Sequence, residues 1–217
     1  MNLIYYIRND PEETIMNKNA MYKLSYGLFI LTAHEGEKDN GCIVNTVTQV
    51  TTEPNRITVA VNKSNYTCGM IERTGKFNVS VLTENSKFET YRHWGFQSGA
   101  DVDKCERIAY RRADNGVIYL TEECNAYLTA NVVSVTDLST HLLFLADVCD
   151  AELLSDDESV TYAYYQANIK PAPQPKKETG FICTVCGYIY KGETLPDDFI
   201  CPWCKHPASD FIPLEEK

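Results

Sequence analysis

The sequence has no long apolar run, and it has fewer basic than acidic residues. No stretch approaches the roughly 20 apolar residues that a membrane-spanning helix requires. Lysine and arginine together number 20 against 30 aspartate and glutamate, which gives the 217 residues a net charge of −10. A negative chain repels nucleic-acid phosphates and anionic lipids. We therefore expect neither a nucleic acid nor a membrane as partner.

Two nucleotide-binding motifs are also missing, and the first residues do not have the pattern of a secretion signal. The sequence contains neither Gly-x-Gly-x-x-Gly nor Gly-x-x-x-x-Gly-Lys-Ser/Thr, so we expect no Rossmann unit and no P-loop. The first eight residues hold a short apolar patch but neither a charged leader nor a small-residue cleavage site. We therefore expect no signal peptide and a cytoplasmic protein.

Cysteine, in contrast, is plentiful, and four of the nine form a spaced motif. Cys183 and Cys186 form one Cys-x-x-Cys pair, and Cys201 and Cys204 form the second. Two such pairs can hold one zinc or iron ion in a tetrahedral site. The spacing alone leaves open both a redox iron and a structural zinc ribbon. Nearby aromatic residues favour iron, because they keep water from the sulfurs; they are Phe181, Tyr188, Tyr190, Phe199, Trp203 and Phe211.

The other five cysteines are scattered and odd in number, which suits a reducing cytoplasm. We interpret all five as small buried apolar residues, although Cys68 lies near an anion site predicted below. They are Cys42, Cys68, Cys105, Cys124 and Cys149.

The larger part of the chain is rich in short strands. Strands are predicted over residues 24–32, 42–52, 56–61, 76–83, 126–135 and 142–150. A hairpin over 107–120 is predicted to turn at Asp114-Asn115-Gly116 in a type I′ turn. Helices are predicted over 9–23, 65–74 and 84–93, and loops over 34–41 and 94–104. This pattern predicts a mainly β protein with a small antiparallel barrel.

A proline-rich segment divides the chain. Residues 170–178 contain three prolines and favour an extended polyproline II conformation that spans on the order of 25–30 Å. We therefore predict a strand-rich domain over residues 1–168, a linker over 169–178 and a small metal domain over 179–217.

Two segments of the larger domain carry side chains suited to a planar ring and a phosphate. Residues 45–50 alternate polar and apolar side chains, so amide and hydroxyl groups could meet a heterocycle; an ordinary half-buried strand is the simpler explanation. Residues 62–67 join a strand to a helix and combine free N–H groups, two hydroxyls and a lysine, which suit an anion. A plain helix N-cap is the alternative there.

The cysteine segment resembles rubredoxin almost residue by residue from residue 180 to residue 211. The resemblance rests on Cys183-Thr184-Val185-Cys186-Gly187-Tyr188 and on Cys201-Pro202-Trp203-Cys204, and it implies one iron held by the four cysteines. The loop between the pairs is shorter than in free-standing rubredoxins. In addition, Lys205 stands where the family usually has a glycine, which accepts a positive φ.

Residues 24 to 165 are similar to the flavin reductase-like split barrel, which binds FMN. The matching motifs include Ser25-Tyr26-Gly27-Leu28-Phe29 and Gly95-Phe96-x-Ser98-Gly99 followed by Asp103-Lys104. The resemblance implies that the isoalloxazine is lined by Asn45, Thr46, Thr48, Gln49 and Val50. It also implies that the ribityl phosphate is lined by Asn62, Lys63, Ser64, Tyr66 and Thr67.

The same resemblance sets His141 near the flavin or a nicotinamide, as a candidate catalytic residue. The family usually has glycine and aspartate before this histidine, whereas this chain has Asp137-Leu138-Ser139-Thr140. A structural histidine is the alternative. The other histidines, His34, His93 and His206, are expected to be structural.

A split barrel followed by a rubredoxin domain resembles the high-molecular-weight rubredoxins of anaerobic bacteria. This resemblance implies a homodimer that takes hydride from NADH or NADPH onto FMN. It further implies single-electron transfer through the iron to a flavo-diiron protein that reduces nitric oxide or dioxygen. Two alternatives remain open. One is an electron carrier between proteins that does not oxidise a nicotinamide, and the other is a flavin-binding protein with a structural zinc ribbon.

Overall fold

The computed structural model describes residues 17–172 and 180–214, and the chain divides into two compact units, Met1–Pro171 and Ala172–Lys217. The helix predicted over residues 9–23 falls mostly outside the described residues, and its end is a 3₁₀-helix, Lys18–Lys23. The linker predicted over 169–178 lies outside them from residue 173 onward.

The first unit is built on a seven-stranded antiparallel sheet with the strand order β2-β1-β5-β8-β9-β4-β3, accompanied by the short pair β6 and β7. The strand bounds are β1 Phe29–Glu35, β2 Lys38–Val44, β3 Thr48–Thr52, β4 Asn55–Asn62, β5 Lys76–Leu82, β6 Arg111–Arg112, β7 Ile118–Tyr119, β8 Cys124–Asp137 and β9 His141–Leu153. The helices are α1 Tyr66–Thr74 and α2 Phe88–Gly95, and a single α-helical turn, Tyr162–Tyr164, continues as a π-helix, Tyr165–Ile169.

The two edge strands of this sheet, β2 and β3, are consecutive in the sequence. A flat sheet of seven strands would hold its edges about 29 Å apart, because neighbouring strands are spaced about 4.8 Å. The link over residues 45–47 reaches at most about 14 Å. The sheet must therefore curl until its edges approach each other. The edges are not neighbours in the hydrogen-bonded strand order, so the antiparallel barrel predicted from the sequence is split there.

Inward-facing residues of the strands and one stripe of α1 form the main core. β4 buries Ile57, Val59 and Val61 in strict alternation, as its sequence pattern predicts. α1 adds Met70 and Ile71 to the same cluster. The alternation of period two in β4 and the helical spacing in α1 thus bury the same apolar core from two directions.

A second core lies between β1, α2 and the end of the unit. Leu28, Ile30, Trp94 and Val160 pack together there. The end of the unit returns to its beginning, because Thr161 forms an antiparallel bridge with Gly27.

Residues 34–41, predicted as a loop, form a hairpin instead. β1 and β2 pair without interruption from Phe29 opposite Val44 to Glu35 opposite Lys38, and Gly36 turns between them with φ 63°. Polar contacts stabilise this end of the hairpin: His34 lies 2.9 Å from Asp39, and Arg112 donates two hydrogen bonds to the same carboxylate. Such cross-strand polar pairs leave no hydrophobic pattern in the sequence, so the strand prediction failed here.

The strand predicted over residues 42–52 is interrupted over residues 45–47. There the Thr46 hydroxyl donates to the Ala60 carbonyl at 2.7 Å and accepts from the Ala60 N–H at 3.1 Å. The Thr46 side chain thus bonds both backbone groups of Ala60, which the backbone of a continuous strand would otherwise have bonded. The strand is therefore broken at Thr46, between β2 and β3.

Two further predictions are corrected in detail. α2 begins at Phe88 rather than at residue 84, because residues 83–86 form a turn in which the Ser86 N–H and hydroxyl both bind the Thr83 carbonyl. The turn of the short hairpin has a positive φ at Gly116 alone, and the Gly116 N–H donates to the Ala113 carbonyl. The turn is therefore a three-residue loop with a bulge and not type I′.

The second unit is a small three-stranded sheet of order β11-β10-β12. Its strands are β10 Gly180–Cys183, β11 Ile189–Lys191 and β12 Phe211–Pro213, and a 3₁₀-helix, Ala208–Asp210, precedes β12. In the described residues of both units, no helix is long and apolar enough to cross a membrane.

Candidate metal centre and flavin site

The four predicted metal ligands converge in the second unit. The sulfurs of Cys183, Cys186, Cys201 and Cys204 all lie within 4.8 Å of one another. The distance from the Cys183 sulfur to the Cys204 sulfur is 3.6 Å, and that from Cys186 to Cys201 is 3.5 Å. Ligands at the usual metal–sulfur distance in a tetrahedron are about 3.8 Å apart. The donor set therefore fits one tetrahedral zinc or iron ion.

Each cysteine pair lies on a backbone turn of the same form. The Gly187 N–H donates to the Cys183 carbonyl and the Lys205 N–H donates to the Cys201 carbonyl, both at 2.9 Å. Gly187 has φ 76° and Lys205 has φ 62°. Lys205 thus adopts the left-handed conformation that glycine supplies in the first turn, and the ligand geometry is kept despite the substitution.

The site is enclosed on one side and open on the other. Cys183 and Cys201 are buried, whereas Cys186 and Cys204 are half-buried. Beside Cys204, Trp203 is 69% exposed. Burial raises the pKa of the Cys201 thiol, but hydrogen bonds from the backbone N–H groups of Cys204 and Trp203 and from the thiols of Cys186 and Cys204 together lower it to about 6. Two ligands of this centre are therefore accessible to an approaching redox partner.

Aromatic rings pack round the buried side of the centre. Tyr188 and Phe199 stack at 6.4 Å between centroids, and Phe199 meets Phe211 edge-on at 5.4 Å. This packing shields the buried sulfurs of Cys183 and Cys201 from water, and such shielding is one of the factors that set the potential of an iron centre.

A cleft in the first unit joins the predicted phosphate segment to the glycine-bearing loop after α2. Its volume is about 330 Å³, and its walls include Asn62, Ser64, Asn65 and Tyr66 on one side. The opposite wall is formed by residues 95–99 and Lys104. α1 begins at this cleft, so the positive end of its dipole faces the space where an anion would lie.

Lys104, on the wall of this cleft, is the residue that sequence reasoning missed. Its side chain is 3% exposed, and its ammonium donates to the carbonyls of Gly41 at 2.9 Å and Trp94 at 3.0 Å. Burial lowers the pKa of Lys104 below its usual range. No carboxylate pairs with it among the described residues, and a buried unpaired ammonium favours a bound anion. The motif Asp103-Lys104 was the only signal for it in the sequence.

The structure separates the five residues predicted for the phosphate. Three of the five, Asn62, Ser64 and Tyr66, line the cleft. Asn65, which was not among the five, also lines it and caps α1 by accepting from the Thr67 N–H at 3.0 Å. Thr67 is fully buried, and its hydroxyl accepts from Asn40 at 2.8 Å. Thr67 therefore supports the cleft from beneath and has no exposed atom for a ligand.

Lys63, which was predicted to contact the phosphate, does not line the cleft. Its ammonium lies 2.6 Å from a carboxylate oxygen of Asp137, and this hydrogen bond lowers the pKa of Asp137, as does the one from the Ser139 backbone N–H. Both side chains are at the surface. The contact of Lys63 with a phosphate therefore stays a prediction.

The residues predicted for the isoalloxazine lie at and beyond the break between β2 and β3. The side chain of Thr46 is engaged with β4 as described above, and Asn45 is half-buried. Thr48, Gln49 and Val50 lie on the exposed edge strand β3, where Gln49 donates to Asn55 at 3.0 Å. Their role as a ring surface stays a prediction.

His141 is the first residue of β9 and lies opposite Asn62 in the ladder between β4 and β9. Its Nδ1 is 2.9 Å from the Thr140 hydroxyl, and the Thr140 carbonyl accepts from the Lys63 N–H. The fold thus brings His141 to the segment predicted for the phosphate, although the two are far apart in the sequence. Its catalytic role stays a prediction.

The remaining histidines have structural partners. His34 contacts Asp39, His93 donates through Nε2 to the Lys104 carbonyl at 2.7 Å, and His206 lies 2.7 Å from Asp210. The contact of His93 holds Lys104 at the cleft.

The five scattered cysteines are free thiols, and most are packed as expected. Cys42, Cys68 and Cys124 are buried and Cys105 is half-buried, but Cys149 is exposed. The Cys149 sulfur accepts a hydrogen bond from the Asn131 amide at 3.0 Å. The prediction of burial was therefore wrong for Cys149. The Cys68 thiol points to the Val61 carbonyl at 3.6 Å within the core, so it is structural.

Comparisons with known families match both units. Residues 21–173 match the family described as Flavin reductase like domain. Residues 181–212 match the family described as Rubrerythrin, rubredoxin-like domain. The high molecular weight rubredoxin of Moorella thermoacetica is 34% identical over 220 residues, which cover 87% of this chain and 96% of that protein.

The chain belongs to the high molecular weight rubredoxin family. Membership makes it a flavin reductase-like oxidoreductase fused to a rubredoxin-like domain, with a flavin and a four-cysteine iron centre as the groups that the two domains imply.

Other relatives share the first unit. The ferric-chelate reductase (NAD(P)H) of Archaeoglobus fulgidus is 37% identical over 164 residues, covering 76% of this chain and 96% of that protein. Among solved structures, the NADH:FAD oxidoreductase of Streptomyces globisporus has a TM-score of 0.61 at 19% identity and covers 73% of this chain and 93% of its own. The flavoredoxin of Methanosarcina acetivorans has a TM-score of 0.57 at 25% identity, covering 65% and 75%. These similarities establish the fold as mainly β with an antiparallel flavin reductase-like barrel.

Proposed function

We propose that this protein takes hydride from NADH or NADPH onto FMN and delivers single electrons through its cysteine-bound iron to a partner protein. The proposed partner is a flavo-diiron protein that reduces nitric oxide or dioxygen. The observation that carries this proposal is the presence, in one chain, of a flavin reductase-like domain and a four-cysteine centre with two accessible ligands.

The pairing of the two groups has a chemical reason. Bound FMN accepts two electrons as a hydride and can release them singly, whereas one iron held by four cysteines accepts one. The protein's own residues then need only bind and orient the groups, exclude water from the sulfurs and leave one side of the centre open.

The phosphate cleft supports FMN over FAD. The start of α1 and the buried Lys104 ammonium converge on a small space. A terminal phosphate monoester carries up to two negative charges, more than either phosphate of an internal diphosphate, and so suits a buried cation beside a helix N-terminus.

A homodimer in the cytoplasm forms part of the proposal. All five residues of edge strand β3 are exposed and uncharged, and an uncovered edge of this kind invites pairing with another surface. A flavin ring placed on Thr48, Gln49 and Val50 would need a cover, which a second copy of the chain would supply.

We further propose that residues 169–178 act as a linker between a flavin domain over residues 1–168 and an iron domain over residues 179–217. The three prolines of that segment favour an extended tether.

The decisive experiment is anaerobic mixing of the purified protein with NADH or NADPH while the absorbance of flavin and iron is followed. We expect about one FMN and one iron per chain, rapid bleaching of the flavin and slower bleaching of the iron. In Cys201→Ser, flavin reduction should persist while the iron signal is lost.

Two outcomes would contradict this proposal. Stoichiometric zinc in the natively purified protein would rule out electron transfer through the second unit. If the flavin stayed oxidised with both nucleotides, the chain would instead be a carrier between proteins.

Direct reduction of ferric chelates is a second candidate activity, favoured by the 37% identity to the ferric-chelate reductase. In that case Cys201→Ser should reduce a ferric chelate as fast as the unaltered protein, because the flavin domain alone would carry the reaction.

A further inference from the structure

Two further cavities adjoin the cleft at the start of α1, which is called the flavin cleft from here on. Their volumes are about 500 and 280 Å³, and they share Tyr162, Gln166 and Lys170 as lining residues. The smaller cavity also shares Gly95 and Phe96 with the flavin cleft. The three spaces therefore lie side by side from the start of α1 to Tyr26, and the two cavities beyond the cleft are called the trench here. Phe96, at the junction, is 65% exposed.

The far end of this trench has a fixed aromatic corner. The rings of Tyr26 and Tyr162 are 6.4 Å apart and nearly perpendicular, with an interplanar angle of 89°. The Tyr162 N–H donates to the Tyr26 carbonyl at 2.7 Å, and Thr161 bridges Gly27. These backbone bonds hold the two rings in place without a ligand, so a planar group could stack on one ring and meet the other at its edge.

The helical turn that follows is a π-helix, Tyr165–Ile169. Its defining bond runs from the Lys170 N–H to the Tyr165 carbonyl at 2.8 Å. Tyr165 is buried against Tyr91, with ring centroids 4.4 Å apart, while Gln166 and Lys170 line both cavities. π-helical turns are rare and occur frequently at functional sites.

Lys170 gives this trench a positive charge. Its ammonium lies 3.4 Å from the Gln166 amide oxygen, and no carboxylate pairs with it in residues 17–172 or 180–214. The chain as a whole has a net charge of −10. A cation beside two aromatic rings, with no carboxylate partner among the described residues, therefore suits a ligand with a planar ring and a phosphate.

We propose that this trench binds the adenosine half of the nicotinamide donor, with the adenine against Tyr26 and Tyr162 and a phosphate at Lys170. The proposal rests on the proposed function, because it takes a nicotinamide dinucleotide as the donor. A donor whose nicotinamide lies at the flavin must place its other half nearby. The trench borders the flavin cleft at Gly95 and Phe96, and it offers an aromatic stacking surface and a positive charge to that half.

Binding of 5′-AMP to the flavin-loaded protein, measured by calorimetry, tests the site without any turnover. We expect Tyr162→Ala to raise the dissociation constant at least fivefold, as loss of one aromatic stacking partner does for a base, and Lys170→Ala to raise it severalfold. Tyr162→Phe keeps the ring and should retain the affinity. Tyr110→Ala removes an exposed tyrosine outside the trench and is the matched control.

A comparison of donors tests the same site during reaction. In Tyr162→Ala and Lys170→Ala, the KM for NADH or NADPH should rise about fivefold or more with kcat nearly unchanged. The KM for reduced nicotinamide mononucleotide, which lacks the adenosine, should not change.

The two proposals fail in different ways. An equal rise in KM for the dinucleotide and the mononucleotide, or unaltered binding of 5′-AMP in both alanine variants, would overturn the adenosine site. If no nicotinamide reduced the flavin of the unaltered protein, the proposed function would fail, and 5′-AMP binding would still decide whether the trench is an adenosine site.

Discussion

Lys104 combines burial, a positive charge and two backbone carbonyl partners. The carbonyls of Gly41 and Trp94 satisfy two of its three N–H groups, and His93 fixes its backbone from the other side. An unpaired charge in such a position is costly unless a ligand of opposite charge completes the site. At the scale of single residues, Lys104 is therefore the strongest candidate for binding the flavin phosphate.

Replacement of Lys104 by methionine should weaken FMN much more than riboflavin, because only FMN has the phosphate. A lost buried charge-assisted hydrogen bond corresponds to about 1.5–3 kcal/mol, so we expect at least a tenfold rise in the FMN dissociation constant. Fluorescence titration of both flavins measures this, with Lys76→Met at the exposed start of β5 as control. Equal weakening of both flavins would mean that Lys104 does not contact the phosphate.

The depressed pKa of Lys104 also predicts a pH dependence with opposite signs for affinity and stability. FMN binding needs the ammonium, so affinity should fall as pH rises through the lowered pKa, before the usual lysine value of 10.5. In the flavin-free protein the unfolded state binds the extra proton in that window, so the free energy of unfolding should rise with pH there. Both trends should vanish in Lys104→Met, and their persistence would assign them to another group.

Lys205 is a second residue in an unusual state, because its φ of 62° costs an L-amino acid roughly 1–2 kcal/mol. Lys205→Gly should therefore stabilise the iron unit by about 1 kcal/mol, measured as the denaturant midpoint of iron absorbance loss. Lys205→Ala removes the same charge but keeps the Cβ and should give no such gain. A similar gain in both variants would mean that charge, and not backbone strain, is the cause.

At the scale of elements, α1 links stability to ligand binding through its two ends. Asn65 caps its start and lines the cleft. Gly75 ends it in the left-handed conformation with φ 68°, and a Cβ there would meet no other atom within 4 Å. The two caps therefore stabilise the same helix, but only one of them faces the predicted phosphate.

Asn65→Ala and Gly75→Ala should each cost about 1 kcal/mol of stability, from a lost N-cap and from left-handed strain respectively. Only Asn65→Ala should also weaken FMN. Thermal unfolding of the flavin-free proteins gives the first quantity and flavin titration the second. A matching loss of FMN affinity in Gly75→Ala would show that the flavin responds to helix stability in general.

Elements with a strong hydrophobic period were predictable from the sequence, and those held by polar contacts were not. β4 follows from the alternation of Ile57, Val59 and Val61, and the end of α1 follows from Arg73 and Gly75. The β1–β2 hairpin end depends on Asp39 meeting Arg112, which are distant in the sequence. No local pattern contains that information.

The same limit applies to the functional sites. The metal ligands were predictable because all four belong to two short local motifs, Cys-x-x-Cys. The cleft is assembled from residues 62, 64–66, 95–99 and 104, and only the fold reveals that Lys104 is buried there while Lys63 is engaged with Asp137. All three segments belong to the motifs of the resemblance, but it assigned only residues of the first to the phosphate.

At the scale of the whole molecule, the chain joins a flavin unit and an iron unit through a proline-rich segment. Electron transfer from the flavin and electron transfer to an outside partner both require close approach of the iron. Nine extended residues reach some 25–30 Å. A tether of that length would let one iron unit approach first the flavin and then the outside partner.

Deletion of residues 171–177 should therefore leave FMN reduction by NADH or NADPH near normal and slow the delivery of electrons to the external acceptor. Stopped-flow absorbance of flavin, iron and acceptor measures the three steps, and a Gly/Ser replacement of equal length is the control. If the shortened protein delivered electrons at the unaltered rate, alternation of the iron unit would be ruled out.

The bridge between Gly27 and Thr161 has a consequence for the newly made chain on the ribosome. Leu28 and Ile30 emerge early, but Val160, which covers them in the second core, follows on the order of 10 s later at ordinary rates of synthesis. During that interval one face of β1 lacks part of its apolar cover. The nascent barrel would be most vulnerable to aggregation, and most dependent on chaperones, until the tyrosine-rich end of the unit leaves the exit tunnel.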